Sequence, residues 1–134
     1  MKIFIDTGHP VHILFFNPIF KQLKKNGHSV YFAIREKDCS VHIAKSLNIN
    51  YISKGKGSYS IFKKPFYLIA SIIKLYQIAK QFKPDIFLSF ASPYAGIVAW
   101  LNKKPHLVFD DTEPDPIVQS IYRIFSSIIL TPSC

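Results

Sequence analysis

The sequence predicts an α/β fold: a doubly wound parallel sheet of about six strands in a three-layer αβα arrangement. Short apolar runs alternate with stretches of helical periodicity along the whole chain, and turn residues fall between them. The 134 residues suffice for one domain with a core and are too few for two ordinary ones, and no repeat or interior linker divides them. The expected organisation is a single domain over 1–134.

The first strand is Ile3 to Ile5, an apolar run that ends in Asp6 and breaks at Thr7-Gly8. A loop carrying His9, Pro10 and His12 leads into a helix with Phe16, Ile19, Phe20 and Leu23 on one face and Lys21, Lys24 and Lys25 opposite. Pro18 leaves two starts open: it begins the helix with Asn17 as cap, or it kinks one that began near His12. Gly27 reads as a left-handed stop before a second strand, Val30 to Ile34. A short helix at about Ser40 to Leu47 and a third strand at Tyr51-Ile52 follow.

After the basic turn Ser53 to Ser58, a long helix starts near Lys64-Pro65. Phe66, Ile69, Ile73, Tyr76, Ala79 and Phe82 form its expected core-facing stripe. Leu68, Ile72 and Leu75 widen that stripe, so the helix is either deeply buried or meets a membrane or partner. Pro84-Asp85 launch the fourth strand, Ile86 to Phe90, and Ser92 caps a helix with Pro93 in its first position. Ala95, Gly96 and Ala99 let that helix lie close to the sheet. The fifth strand is His106 to Phe109, a helix capped by Asp115-Pro116 runs to about Phe125, and Ile128 to Leu130 form the sixth strand. The chain stops at an edge where α/β enzymes usually continue, which suggests a fragment or a truncated reading frame.

Charge is split along the chain. Residues 1–83 carry 14 Lys and Arg against three acids, whereas 84–134 carry three against five. Such a field favours anionic partners: phosphorylated small molecules, anionic lipid or nucleic acid. Nucleic acid is disfavoured, because the aromatics lie in apolar patterns instead of alternating with lysines as stacking platforms. Cys39 and Cys134 follow no ligand spacing, so a reducing cytoplasm is expected, without a disulfide or zinc site. The most apolar segment, Phe66 to Ala79, is too short to span a bilayer and is broken by Lys74 and Gln77.

Several chemistries lack their signatures. The sequence has no G-x-G-x-x-G after the first strand, no G-x-x-x-x-G-K-[ST], no G-x-S-x-G and no H-E-x-x-H. No cofactor and no metal is therefore expected. Three clusters remain. An open parallel sheet binds ligands outside the carboxyl ends of its strands, which is where Asp6, Gly8, His9 and His12 fall. An imidazole works near neutral pH, and a carboxylate such as Asp6 beside it would orient it as a general base toward a hydroxyl. Asp6 as a turn cap and His12 as a solvent-facing helix start are the plainer alternatives.

The second cluster, Asp110 to Asp115, holds half of all the acids and lies on the same edge. Asp111 and Glu113 are its candidates for a substrate-hydroxyl or cation site, while Asp115 is a helix cap. In the third, Ser92 and Pro93 open a helix whose backbone donors suit an anion. Gly55 and Gly57 between lysines form a weaker phosphate-cradle candidate.

These motifs resemble the N-terminal part of domain of unknown function family 354. The resemblance rests on Asp6-Thr-Gly-His9-Pro10-Val-His12 with Phe15-Phe16-Asn-Pro18, on Asn26-Gly27-His28-Ser-Val30 and on Lys83-Pro84-Asp85. It also rests on Ser89-Phe90-Ala-Ser92-Pro93 and Asp111-Thr112-Glu113, and spans the whole chain. The family pattern carries glycine where this chain has Ala91. The Gly-His-x-Val and Lys-Pro-Asp pieces are shared with the two-domain GT-B glycosyltransferases and the UDP-N-acetylglucosamine 2-epimerases.

The resemblance implies a Rossmann-like acceptor-side domain, with a C-terminal domain for the nucleotide-sugar donor lying outside these residues. It implies sugar transfer to a phosphate-bearing or lipid-linked acceptor in cell-surface glycan biosynthesis, in the cytoplasm or peripherally at the inner face of the membrane. His9, with Asp6, would be catalytic, and Gly8, His12, Ser92, Pro93, Asp111 and Glu113 would bind substrate. One alternative is an epimerase half-domain. Another is a non-catalytic subunit that docks the separate catalytic part of a split transferase at the membrane through the Phe62–Phe82 helix.

Overall fold

The strands lie side by side, all parallel, in the order β3-β2-β1-β4-β5-β6. The computed structural model describes residues 1–56, 64–111 and 116–132. Its elements are β1 (Lys2–Thr7), α1 (Pro10–Lys25), β2 (Ser29–Ile34), α2 (Ser40–Ser46), β3 (Tyr51–Ser53), α3 (Lys64–Phe82), β4 (Ile86–Phe90), α4 (Pro93–Leu101), β5 (His106–Phe109), α5 (Pro116–Phe125) and β6 (Ile128–Leu130). Every expected strand and helix is present, so the doubly wound α/β prediction holds.

Alternate residues of each strand feed two cores. Ile3, Ile5, Phe32, Ile34 and Leu88 pack under α1 and α2 with Ile13, Phe16 and Phe20. Phe4, Ala33 and Phe87 face the other way, against Leu75, Ile78 and Ala79 of α3 and Val98 and Ala99 of α4. Gly96 allows α4 its close approach, since a Cβ there would stand 3.3 Å from both His106 Nδ1 and Phe125 Cβ.

At the residue level one open alternative is decided and one expectation is corrected. Helix α1 starts at Pro10, with His9 as its cap, and carries Pro18 inside. Asn17 is no cap: its side-chain oxygen is buried without a hydrogen-bond partner. The stripe expected to bury α3 is rotated. Ser71, Leu75, Ile78 and Ala79 are buried, whereas Phe66, Ile69 and Ile73 are exposed. A helix apolar on most of its circumference does not encode its own rotation. Here the neighbours set it, with Phe82 against the rings of Phe4 and Tyr31.

Strand order runs outward from β1 to β3, then returns to place β4 beside β1. Connections diverge at the carboxyl ends of β1 and β4, leaving a crevice at that switch point.

Candidate functional site

At the end of β1, Thr7 is pinned by its hydroxyl, which donates to the Ala33 carbonyl at 3.2 Å. His9 then leaves the sheet in extended conformation and caps α1, its Nδ1 accepting the Val11 N–H at 3.3 Å. An imidazole nitrogen that accepts carries no hydrogen, so neutral His9 holds its proton on Nε2. His12 comes one turn later, with ring centroids 5.9 Å from His9 and 4.4 Å from Phe90, on which it stacks. Burial, then the neighbouring His9, push the His12 pKa down to about 4 against the opposing pull of Asp111 and Asp6. His12 is thus a neutral imidazole at pH 7, and its Nδ1 has no hydrogen-bond partner.

Asp6 is fully buried, and both of its carboxylate oxygens are engaged. Lys54 Nζ donates to Oδ1 in a buried ion pair. Ser92 Oγ donates to Oδ2 at 2.5 Å, while accepting the Ala95 N–H at 3.4 Å as cap of α4. The carboxylate expected to orient an imidazole instead ties the ends of β1 and β3 to the start of α4. A clasp holds Lys54 in place: Ser53 Oγ donates to Glu36 Oε1 at 2.5 Å and accepts the Gly55 N–H at 2.9 Å. Gly55 adopts φ +87°, a left-handed conformation that suits glycine.

These elements enclose a cavity of about 220 Å³ at the switch point. Gly8 and His9 line it from the β1–α1 turn, His12 from the first turn of α1, Lys54 from just past β3, Phe90 through Tyr94 from the β4–α4 junction, and Asp111 from beyond β5. The predicted residues Gly8, His9, His12, Ser92, Pro93 and Asp111 therefore share one crevice, with Asp6 just beneath it. Glu113 and Gly57 lie outside the described residues.

Lys54 and Tyr94 also line the crevice, and neither is among the site residues the sequence predicts. The ammonium of Lys54 lies 5.5 Å from the Tyr94 ring centroid. One signal was available, a lysine set just before Gly55 at the carboxyl end of a strand. At the crevice rim Ala91 has φ +45°, in the region where glycine is favoured, with its N–H bonded to the Phe109 carbonyl at 2.8 Å.

Two buried polar clusters stand behind this wall. Asp110 accepts hydrogen bonds from Tyr122 Oη at 2.5 Å and Gln119 Nε2 at 3.3 Å. Burial and the Asp110 carboxylate push the Tyr122 phenol up to about 12. His106 is fully buried, its ring nitrogens 2.8 Å from the hydroxyls of Ser89 and Ser126, and burial brings its pKa down to about 4.

The profile of the family described as glycosyl transferase 4-like matches residues 4–110. UDP-N-acetylglucosamine--N-acetylmuramyl-(pentapeptide) pyrophosphoryl-undecaprenol N-acetylglucosamine transferase 3 of Bacillus cereus is 26% identical over 120 residues, 84% of this chain and 33% of that protein. The transferase of the same description from Buchnera aphidicola is 26% identical, with 95% of this chain and 39% of that protein covered. This chain thus spans between a third and two fifths of the length of these curated relatives.

Among solved structures, MurG of Acinetobacter baumannii matches with a TM-score of 0.82 at 16% identity, over 100% of this chain and 42% of that one. UDP-GlcNAc 2-epimerase of Methanocaldococcus jannaschii matches with a TM-score of 0.78 at 17% identity, over 99% and 40% respectively. At such identities the likeness shows a shared Rossmann-like fold, the one expected of a GT-B N-terminal domain.

Proposed function

The chain belongs to the glycosyl transferase 4-like family, and from that premise we propose that it is the acceptor-side domain of a GT-B glycosyltransferase. It moves a sugar from a nucleotide-sugar to a hydroxyl of a phosphate-bearing or lipid-linked acceptor in cell-surface glycan biosynthesis. On the resemblance of its His9–His12 and Asp111-Thr112-Glu113 motifs, we further propose that it belongs with domain of unknown function family 354.

The observation that carries the reading is the switch-point crevice. It offers two imidazoles, one of them neutral and with an unpartnered nitrogen, beside a buried lysine and a helix start. In the proposed mechanism the acceptor hydroxyl lies between His9 and His12. His12, whose Nδ1 is unpartnered, takes its proton as the glycosidic bond forms, and His9 binds the hydroxyl through its Nε2–H. The bond between sugar and diphosphate breaks, with the diphosphate leaving on the opposite, donor-binding side. Asp6 acts through Lys54 and Ser92, holding the walls at their spacing, and Asp111 accepts from acceptor hydroxyls at the rim. The relatives are more than twice as long as this chain, so donor binding and turnover are assigned to its assembly with a donor-binding domain.

The relatives are named as transferases acting on a pyrophosphoryl-undecaprenol acceptor. We place the domain in the cytoplasm against the inner membrane face, through Phe66, Ile69 and Ile73, which are 76%, 55% and 53% exposed at three- and four-residue spacing on α3. None of the described helices is long and apolar enough to cross a membrane.

The matching epimerase structures support a second reading, isomerisation of a UDP-sugar in the same crevice. Incubating the assembled protein with UDP-N-acetylglucosamine separates the two. Product only when an acceptor hydroxyl is supplied supports transfer, and a changed sugar without acceptor supports epimerisation.

A further inference from the structure

Arg35 and Lys54 leave the sheet side by side. They follow Ile34 of β2 and Ser53 of β3, which are register partners. Their fates differ. Lys54 is neutralised by Asp6, and among the described residues that is the only ion pair. Among the described residues, Arg35 forms no ion pair. Its neighbour Glu36 is engaged by Ser53, and the Arg35 backbone N–H is spent on the Thr7 carbonyl at 3.1 Å.

The Arg35 side chain is nonetheless ordered by its surroundings. Its guanidinium carbon lies 5.6 Å from the centroid of the Tyr67 ring. Tyr67 in turn meets Tyr94 edge-on, with centroids 6.2 Å apart, and Tyr94 lines the crevice beneath Lys54. The Nε of Arg35 is buried without a hydrogen-bond partner. A buried, unpaired donor on a charged group is costly, and a guanidinium held by a ring keeps its planar fork ready for an oxyanion. Among the described residues, no hydrogen bond or ion pair engages that fork.

We propose that Arg35 is the anchor of a second subsite, adjoining the crevice, that grips a phosphate group of the ligand through bidentate guanidinium bonds. A phosphate matches the fork in charge and in planar geometry. Tyr67 also ties the subsite to the membrane question, because it lies on α3 between the exposed Phe66 and Ile69. A gripped phosphate therefore belongs either to a soluble ligand or to a lipid headgroup. The inference rests on the reading of this edge as a site for phosphate-bearing ligands, but its test needs no turnover. It can fail while sugar transfer stands.

The test is titration calorimetry of the chain with inorganic pyrophosphate, comparing wild type with Arg35→Gln, Arg35→Lys and Lys24→Gln. Lys24 lies in the last turn of α1, at the opposite edge of the sheet. Saturable binding is expected, weakened roughly tenfold or more by Arg35→Gln, partly by Arg35→Lys, and unchanged by Lys24→Gln. Circular dichroism establishes that each variant is folded. Flotation with phosphatidylglycerol vesicles names the source. If Arg35→Gln also lowers flotation, the phosphate is a headgroup, and if flotation is unchanged, it is a soluble ligand's. Absence of saturable pyrophosphate binding by wild type, or equal affinity in folded Arg35→Gln, overturns the proposal.

Discussion

Lys54 and Asp6 form an ion pair whose side chains are 3% and 0% exposed, joining the turn after β3 to the end of β1 beneath the crevice. With Ser92 on the other carboxylate oxygen, the pair links three elements distant in sequence. Removing one member of a buried pair leaves the other charge buried without its counter-ion. Lys54→Met should therefore destabilise the fold by about 3 to 5 kcal/mol in urea unfolding. The double variant Lys54→Met/Asp6→Ala should cost less than the two single changes added together. Strict additivity would mean that the two side chains do not act as a pair.

Ala91 at φ +45° supports a second prediction. A left-handed conformation costs an L-residue about 1 to 2 kcal/mol, partly offset by the entropy that glycine loses on folding. Ala91→Gly should raise stability by about 0.5 to 1 kcal/mol, read as a higher urea midpoint at unchanged slope. A lower midpoint would show that the alanine methyl contributes packing that outweighs the strain.

A third prediction concerns acid. His106 is buried as a neutral ring, its pKa lowered from 6.5 to about 4. Between those values the unfolded chain binds a proton that the folded chain refuses, so stability falls as pH falls from 6.5 toward 4. The full effect is roughly 3 kcal/mol for this one group, and His12 adds a change of the same sign. His106→Gln should flatten the slope of stability against pH across that window. A slope as steep as that of wild type would assign the acid sensitivity elsewhere.

Much of this was readable in the chain, for physical reasons. Gly27 at φ +77°, Ser92 capping α4 and Pro93 opening it are local signals, decided by residues near each other in sequence. The shared edge of His9, His12 and Asp111 followed from parallel topology alone, since every strand then ends on the same side. Three features depended on tertiary partners and stayed hidden. Lys54 looked like one more surface lysine in a basic turn, and only the fold brings it to Asp6 across 48 positions. Asp6 was expected beside an imidazole, yet the nearest cation and hydroxyl took its two oxygens. Apolar on nearly all sides, α3 gave no clue to its rotation, and its exposed Phe66–Ile69–Ile73 face emerged only once α4 and the sheet were in place.

The two imidazoles of the switch-point crevice are proposed to serve the acceptor hydroxyl. The most direct test of this role is the steady-state kinetics of sugar transfer by the chain together with the donor-binding domain proposed for it, comparing wild type with His9→Ala and His12→Ala. At least one variant should lose about 10²- to 10⁴-fold in kcat, with nucleotide-sugar affinity unchanged. Unaltered kcat in both folded variants would contradict the claim.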